Sequence, residues 1–214
     1  MADHLDDFPL FPLPIVLLPT EVVPLHIFED RFKTMIGLCL EEGSEFGVIW
    51  LSDDGLKEIG CTARVTEVLE QMDDGRMNIL VEGDAPFRLL ERQEQHPYPA
   101  GTVELLDDRA EDVEGSVGEE ARETFAELVE RVTDRRPEKA MLAKIGAYEM
   151  AASVDIGVEV KQGLLELRSE QARLRLLSRL FKAAMDRLEV AQRIAEEARK
   201  NGKVRFGPGS AAAE

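Results

Sequence analysis

Chemistry by side chains needs a nucleophile, a base or a set of metal ligands, and this chain offers few of them. It holds three histidines, His4, His26 and His96, and two cysteines, Cys39 and Cys61. His4 falls in a start expected to be floppy, His26 in a strand-to-helix corner, and His96 in the proline-flanked loop HPYP (96–99). None neighbours a Ser or Cys in a nucleophile motif, so each is read as a structural or surface histidine. The cysteines form no CxxC and have no histidine near them, which points to two buried thiols in a reducing cytoplasm rather than a disulfide or zinc knuckle. With 43 acidic residues in the chain, the close pairs Asp53-Asp54 and Asp73-Asp74, each followed by glycine, are turns before they are acid–base dyads. No DxDxDG loop with a distal Glu suggests calcium. No GxxxxGK[ST] suggests a nucleotide: the one Gly-Lys pair, Gly202-Lys203, is followed by Val204. The expectation is no catalytic residue, no metal and no cofactor, hence a binding protein and not an enzyme.

The candidate binding surface lies where a helix starting near Glu29 meets a proline-rich run. There the charges of Glu29, Asp30 and Lys33 sit beside the apolar rings of Phe28 and Phe32. Trp50, Phe87 and Tyr98 are further rings that could line a peptide groove. The plainer alternative is a solvated helix face, with Arg31 paired to a neighbouring carboxylate and the aromatics in the core.

The elements that would hold these residues follow from period and punctuation. In LPIVLLPTEVVPLHIFEDRF (13–32) three prolines stand five residues apart, and between them IVLL and TEVV, with LHI after, have the length and β-branching of short strands. From Phe28 the apolar residues Phe32, Met35, Ile36, Cys39 and Leu40 recur at three and four, a helix stopped at Gly43. FGVIWL (46–51), the alternation Ile59, Cys61, Ala63, Val65 with a bulge after it, then Met77, Ile79, Val81, then Phe87, Leu89, Val103 and Leu105 read as strands joined at SDDG and DDG turns.

In order, FPLFPLPIVLLPTEVVPLHIFEDRF, a helix, FGVIWL, IGCTARVTEV, a DDG turn, NILVEG and FRLLE resemble the N-terminal substrate-binding domain of the Lon protease family. The resemblance covers about the first 107 residues well and continues more loosely as a helical extension. It implies an α+β fold: a β-rich, pseudobarrel-like lobe with one helix, then a helical lobe, together recognising protein substrates. The ATPase and Ser-Lys peptidase modules of such proteases have no counterpart in these 214 residues, so a free-standing substrate-binding domain is expected. The lobe is also similar to PUA-like pseudobarrels that bind RNA in other families.

Charge argues against carrying that last activity over. The formal net charge is −17, and residues 1–107 alone hold 22 acids against 7 bases. Such a surface gains little from counterion release, which disfavours nucleic acid and anionic membrane. The prolines break the apolar run near the start, so neither a signal peptide nor a membrane span is expected, and the protein is placed in the cytoplasm.

Residues 108–200 carry 20 acids and 17 bases. After an acidic linker (107–118), Phe125, Leu128, Val129 and Val132 space one helix. Met141, Leu142, Ile145, Tyr148 and Ala152 space a second after Pro137, and Asp155 is placed to cap a short third. A last helix, Leu164 to Lys200, keeps an apolar seam over most of five heptads, closing a bundle or protruding as a coiled coil. The tail, 201–214, is predicted to be disordered. Two functions follow. In the first, the protein binds unfolded or degron-bearing polypeptides and passes them to a separate ATP-dependent protease or competes with one. In the second, it is a structural protein whose long helix drives homo-oligomerisation.

Overall fold

Alternation with period two builds a closed ring of strands. The computed structural model describes residues 4–201, so the first three residues and 202–214, most of the expected tail, lie outside the described residues. Six strands, β1 (His4–Leu13), β2 (Val22–Ile27), β3 (Phe46–Ser52), β4 (Gly55–Gln71), β5 (Met77–Gln93) and β6 (Ala100–Leu105), run in the order β2-β5-β4-β3-β1-β6, and β6 also pairs with β5. Five strands therefore close on themselves and β2 is added outside β5. β1 and β3 pair in parallel and the other ladders are antiparallel.

Inside the ring, Phe8, Leu10, Ile49, Phe87 and Val103 form a small apolar cluster. Gly47 and Gly60 make room for it: a Cβ on either would lie 2.7 or 2.6 Å from the Phe87 ring. The opposite strand faces, carrying Phe11, Val48, Cys61, Ala63 and Val81, belong to a second, larger cluster. It is covered by α1 (Asp30–Glu42), through Phe32, Met35 and Ile36, and by the helices of the second half. The register shift after Val65 in the β4–β5 ladder is the bulge expected there; two more, after Cys61 and Val68, were not expected.

The proline-rich run differs from expectation. IVLL is a buried loop and not a strand, while the start expected to be floppy is strand β1, with His4 opposite Glu104. The prolines withhold ladder donors, and other partners take over: Leu18 N–H donates to Glu21 Oε2 at 3.0 Å, and Thr20 N–H to the Gly83 carbonyl at 2.8 Å. The loop crosses so close to β5 that a Cβ on Gly83 would lie 2.2 Å from the Leu18 carbonyl oxygen. α1 begins at Asp30 with Glu29 as N-cap, leaving Phe28 outside the helix, and ends at Gly43 in the left-handed region (φ +66).

The helical half holds α2 (Gly115–Thr133), α3 (Lys139–Leu142), α4 (Ala147–Ala152), α5 (Val158–Glu166) and α6 (Glu170–Asn201). The single helix expected after Pro137 is two short pieces, because Gly146 takes an extended conformation and becomes the N-cap of α4. The long helix expected from Leu164 is interrupted at Leu167, which is extended (ψ 121). α6 starts three residues later, with Ser169 Oγ accepting from Ala172 N–H at 3.1 Å. Its 32 residues give about 48 Å of helix at 1.5 Å per residue. Asp155 accepts from Gly157 N–H just ahead of α5.

Arg173 fixes this break. Its guanidinium, 2% exposed, bonds Asp108, Glu170 and the Leu167 carbonyl, donates to Tyr148 Oη at 3.2 Å and lies 4.4 Å from that ring's centre. Burial opposes its charge, yet the hydrogen bonds of Asp108 hold its pKa above the ordinary value. A second buried ion pair, Glu21 with Lys161, ties the proline-rich loop to α5, and Gln162 Nε2 donates to the Ile59 carbonyl at 3.2 Å. α2 packs along α6, with the Phe125 and Phe181 rings 5.7 Å apart.

Candidate functional site

The seven candidate residues do not gather on one surface. Phe32 is core, its ring 4.2 Å from that of Phe11, with the Arg31 guanidinium over its outer face. Phe28 is 60% exposed and stacks on His26, whose Nδ1 lies 2.7 Å from Asn78 Oδ1. The charges at the helix start are taken up locally: Glu29 pairs with Arg31 at 2.8 Å and Asp30 with Lys33 at 2.7 Å. Lys33 also donates to the Asp74 carbonyl, pinning α1 to the β4–β5 turn.

Tyr98 lines a separate depression of about 480 Å³ with Arg31, Pro12, Leu51 and His96. Burial raises the Tyr98 pKa. His96 stacks on Tyr98 and meets Asp7 at 3.0 Å; that hydrogen bond, with one from Gln95, lowers the Asp7 pKa. Trp50 lines another recess, between the β3–β4 turn and α5, with Lys57 over its ring. Phe87 is fully buried inside the ring of strands. Both thiols are buried and free, and burial pushes each pKa up. Among the described residues no group of His, Cys, Asp or Glu could hold a metal ion, and no helix is long and apolar enough to cross a membrane.

A larger and more apolar concavity than either of these recesses lies elsewhere, in the helical half. A groove of about 800 Å³ runs between α2 and α6. Phe125, Leu128, Val129 and Val132 form one wall, Ala184, Leu188 and Ala191 the other, and Met141 and Val154 one end. Val132 is 66% and Met141 51% exposed. The spacing of these residues marks an apolar stripe, but a stripe alone does not say whether a partner helix reaches it. Here α3 has four residues and α4 six, too few to cover the seam between helices of 19 and 32 residues. The short helices follow from Pro137 and Gly146, the signal in the sequence that could have located the groove.

Comparison with known proteins accounts for this architecture. The chain is 28% identical over 212 residues to a Lon protease of Anaeromyxobacter dehalogenans, the alignment covering 87% of this chain and 24% of that protein. It is 24% identical over 204 residues to Lon protease 2 of Myxococcus xanthus, with the same coverage. The chain thus spans about a quarter of the length of these relatives. Among solved structures it is similar to a Lon N-terminal domain protein from Xanthomonas campestris, with a TM-score of 0.62, 24% identity, and coverage of 79% of this chain and 95% of that one. It is also similar to the N-terminal domain of a Mycobacterium avium complex Lon protease, with a TM-score of 0.62, 16% identity, and coverage of 84% and 98%. Residues 7–183, from β1 to the middle of α6, match the family model of the ATP-dependent protease La (LON) substrate-binding domain, and the chain belongs to that family.

Proposed function

We propose that this chain is a non-enzymatic module that binds apolar segments of unfolded or degron-bearing polypeptides, delivering them to a separate ATP-dependent protease or withholding them from one. The observation that carries this is the open groove between α2 and α6, apolar on both walls. Each large apolar side chain buried there contributes about 1.5–3 kcal/mol. Two such anchors, less the cost of ordering the peptide, give weak and reversible binding, which suits a module that samples many clients. The family match supports the client class, since it lies on the substrate-binding domain of the proteases and not on their ATPase or peptidase. As part of the same reading we take the β-rich lobe as residues 1–107 and the helical lobe as 108–200.

The test is a titration of the chain with a fluorescent, unstructured apolar peptide, followed by anisotropy. Saturable binding that weakens at least tenfold in the Val132→Glu/Met141→Glu variant is expected; equal binding by both proteins, or none, would refute it.

One observation favours a second reading, self-association through α6. Val190 is 47% and Ile194 61% exposed on its C-terminal half, Ile194 lying past Ala191, the last α6 residue that lines the groove. Sedimentation velocity over a range of concentrations decides it, since a constant monomer discards assembly.

A further inference from the structure

The recess around Trp50 carries chemistry that the apolar groove does not. It measures about 410 Å³ and lies between the β3–β4 turn, which contributes Asp53 and Asp54, and α5, which contributes Glu159 and Glu166. Lys57 is the one base lining it. Lys57 forms no ion pair with these carboxylates among the described residues; its Nζ stands instead 5.3 Å from the centre of the Trp50 ring. The carboxylates do not cluster closely enough to hold a metal ion. They are spread around a flat aromatic wall, an arrangement that suits a broad organic cation.

Gln162 adds an independent feature. It lines the same recess, is 5% exposed, and is held at one end, where Nε2 donates to the Ile59 carbonyl and to Glu166 Oε1. Its Oε1 is buried and receives no hydrogen bond among the described residues. An unmatched buried acceptor is costly, and its amide is oriented by the two Nε2 bonds so that only the carbonyl remains for a donor.

We infer that this recess is a receptor for an arginine side chain of a client polypeptide. A guanidinium stacks on Trp50 in place of Lys57, donates to Gln162 Oε1 through its fork of N–H groups, and is neutralised by the surrounding carboxylates. Lys57 is the built-in competitor that holds the ring face when no client is present. The inference rests on the polypeptide-binding role and narrows it: the groove takes apolar residues, and the recess selects clients that also carry arginine.

Trp50 is the only tryptophan in the chain, so its emission reports on the site directly. The full chain is titrated with Nα-acetyl-arginine amide, and with an apolar peptide carrying arginine or, in its place, the neutral isostere citrulline. Expected are a saturable change in Trp50 emission with the arginine ligands and at least tenfold tighter binding of the arginine peptide than of the citrulline peptide. That preference shrinks in Asp53→Asn/Glu159→Gln and grows in Lys57→Met. Equal affinity for the two peptides, or binding without any change at Trp50, overturns the inference while leaving the apolar groove intact. A response to Nα-acetyl-arginine amide with no binding of the citrulline peptide supports the recess and counts against the groove. No response to any ligand overturns both.

Discussion

The two halves of the molecule spend their surface differently. In the β-rich half the exposed charged groups turn to one another: Glu29 with Arg31, Asp30 with Lys33, Arg64 with Glu82, Asp74 with Arg76. The barrel interior is filled by a ring of Phe87 that two glycines accommodate. The helical half also pairs its exposed charges, Arg131 with Glu189 and Lys182 with Glu120, but beside its apolar core and the buried Arg173 an apolar groove stays open to solvent. Five strands closed into a ring satisfy one another and leave β2, paired on one side only, as the open edge, so little backbone demand is unmet. A bundle of helices of unequal length leaves a seam wherever the shortest one stops. The binding surface is therefore expected where packing is incomplete, not where the sequence is most recognisable.

Substitutions can break this contrast at several points. The largest effect is expected from Arg173→Ala, which strands the carboxylates of Asp108 and Glu170 and the Leu167 carbonyl, and should lower unfolding free energy by about 3–5 kcal/mol in urea. Gly60→Val drives a side chain into the Phe87 ring and the Val48 carbonyl and should cost about 3 kcal/mol, part of it recovered by Phe87→Leu in a double-mutant cycle.

Tyr148 gives a pH test. Its pKa is pushed up to about 12, chiefly by burial, from an ordinary value of 10. Because the native state holds this proton more tightly than the unfolded state, the stability it lends is complete below pH 10. It declines as pH rises through 12, by about 3 kcal/mol in all. Denaturation at a series of alkaline pH values should show that decline in the native chain and much less of it in Tyr148→Phe. Val132→Glu and Met141→Glu, both on exposed positions, should leave stability within about 0.5 kcal/mol while costing tenfold in peptide affinity, about 1.4 kcal/mol. Asp30→Asn should change neither stability nor affinity by more than about 0.5 kcal/mol, since the Asp30–Lys33 pair is solvent-exposed on its acidic side.

Much of the fold is legible in the sequence because period and punctuation are local signals. The α1 stripe, the Asp-Asp-Gly turns and the bulge after Val65 needed no knowledge of the whole. The loop 14–18 was not legible as a loop, since its burial comes from a carboxylate three residues on and a glycine on β5, contacts that no local pattern displays. The break between α5 and α6 was hidden in the same way. Leu164, Leu174 and Leu177 continue a heptad seam across it, and it is Arg173, reaching back to the Leu167 carbonyl and across to Asp108, that holds the chain there.

The candidate site was harder still. Of the seven expected residues, Trp50 and Tyr98 line different recesses, Phe28 is exposed and stacks on His26, and Phe32 serves the core. Residue type marks a ring as able to bind; only packing decides whether it is free to do so. Val132 and Met141 carry the opposite lesson, as members of apolar stripes that have the spacing of core and yet remain exposed.

The most direct test of the contrast between the halves is methyl NMR of the full chain with an unstructured apolar peptide. The account predicts that shifts concentrate on the methyl groups of Val132, Met141 and Leu188, with those of Val22 and Leu69 in the β-rich half unmoved. Shifts centred on Val22 and Leu69, with the α2–α6 groove silent, would contradict it.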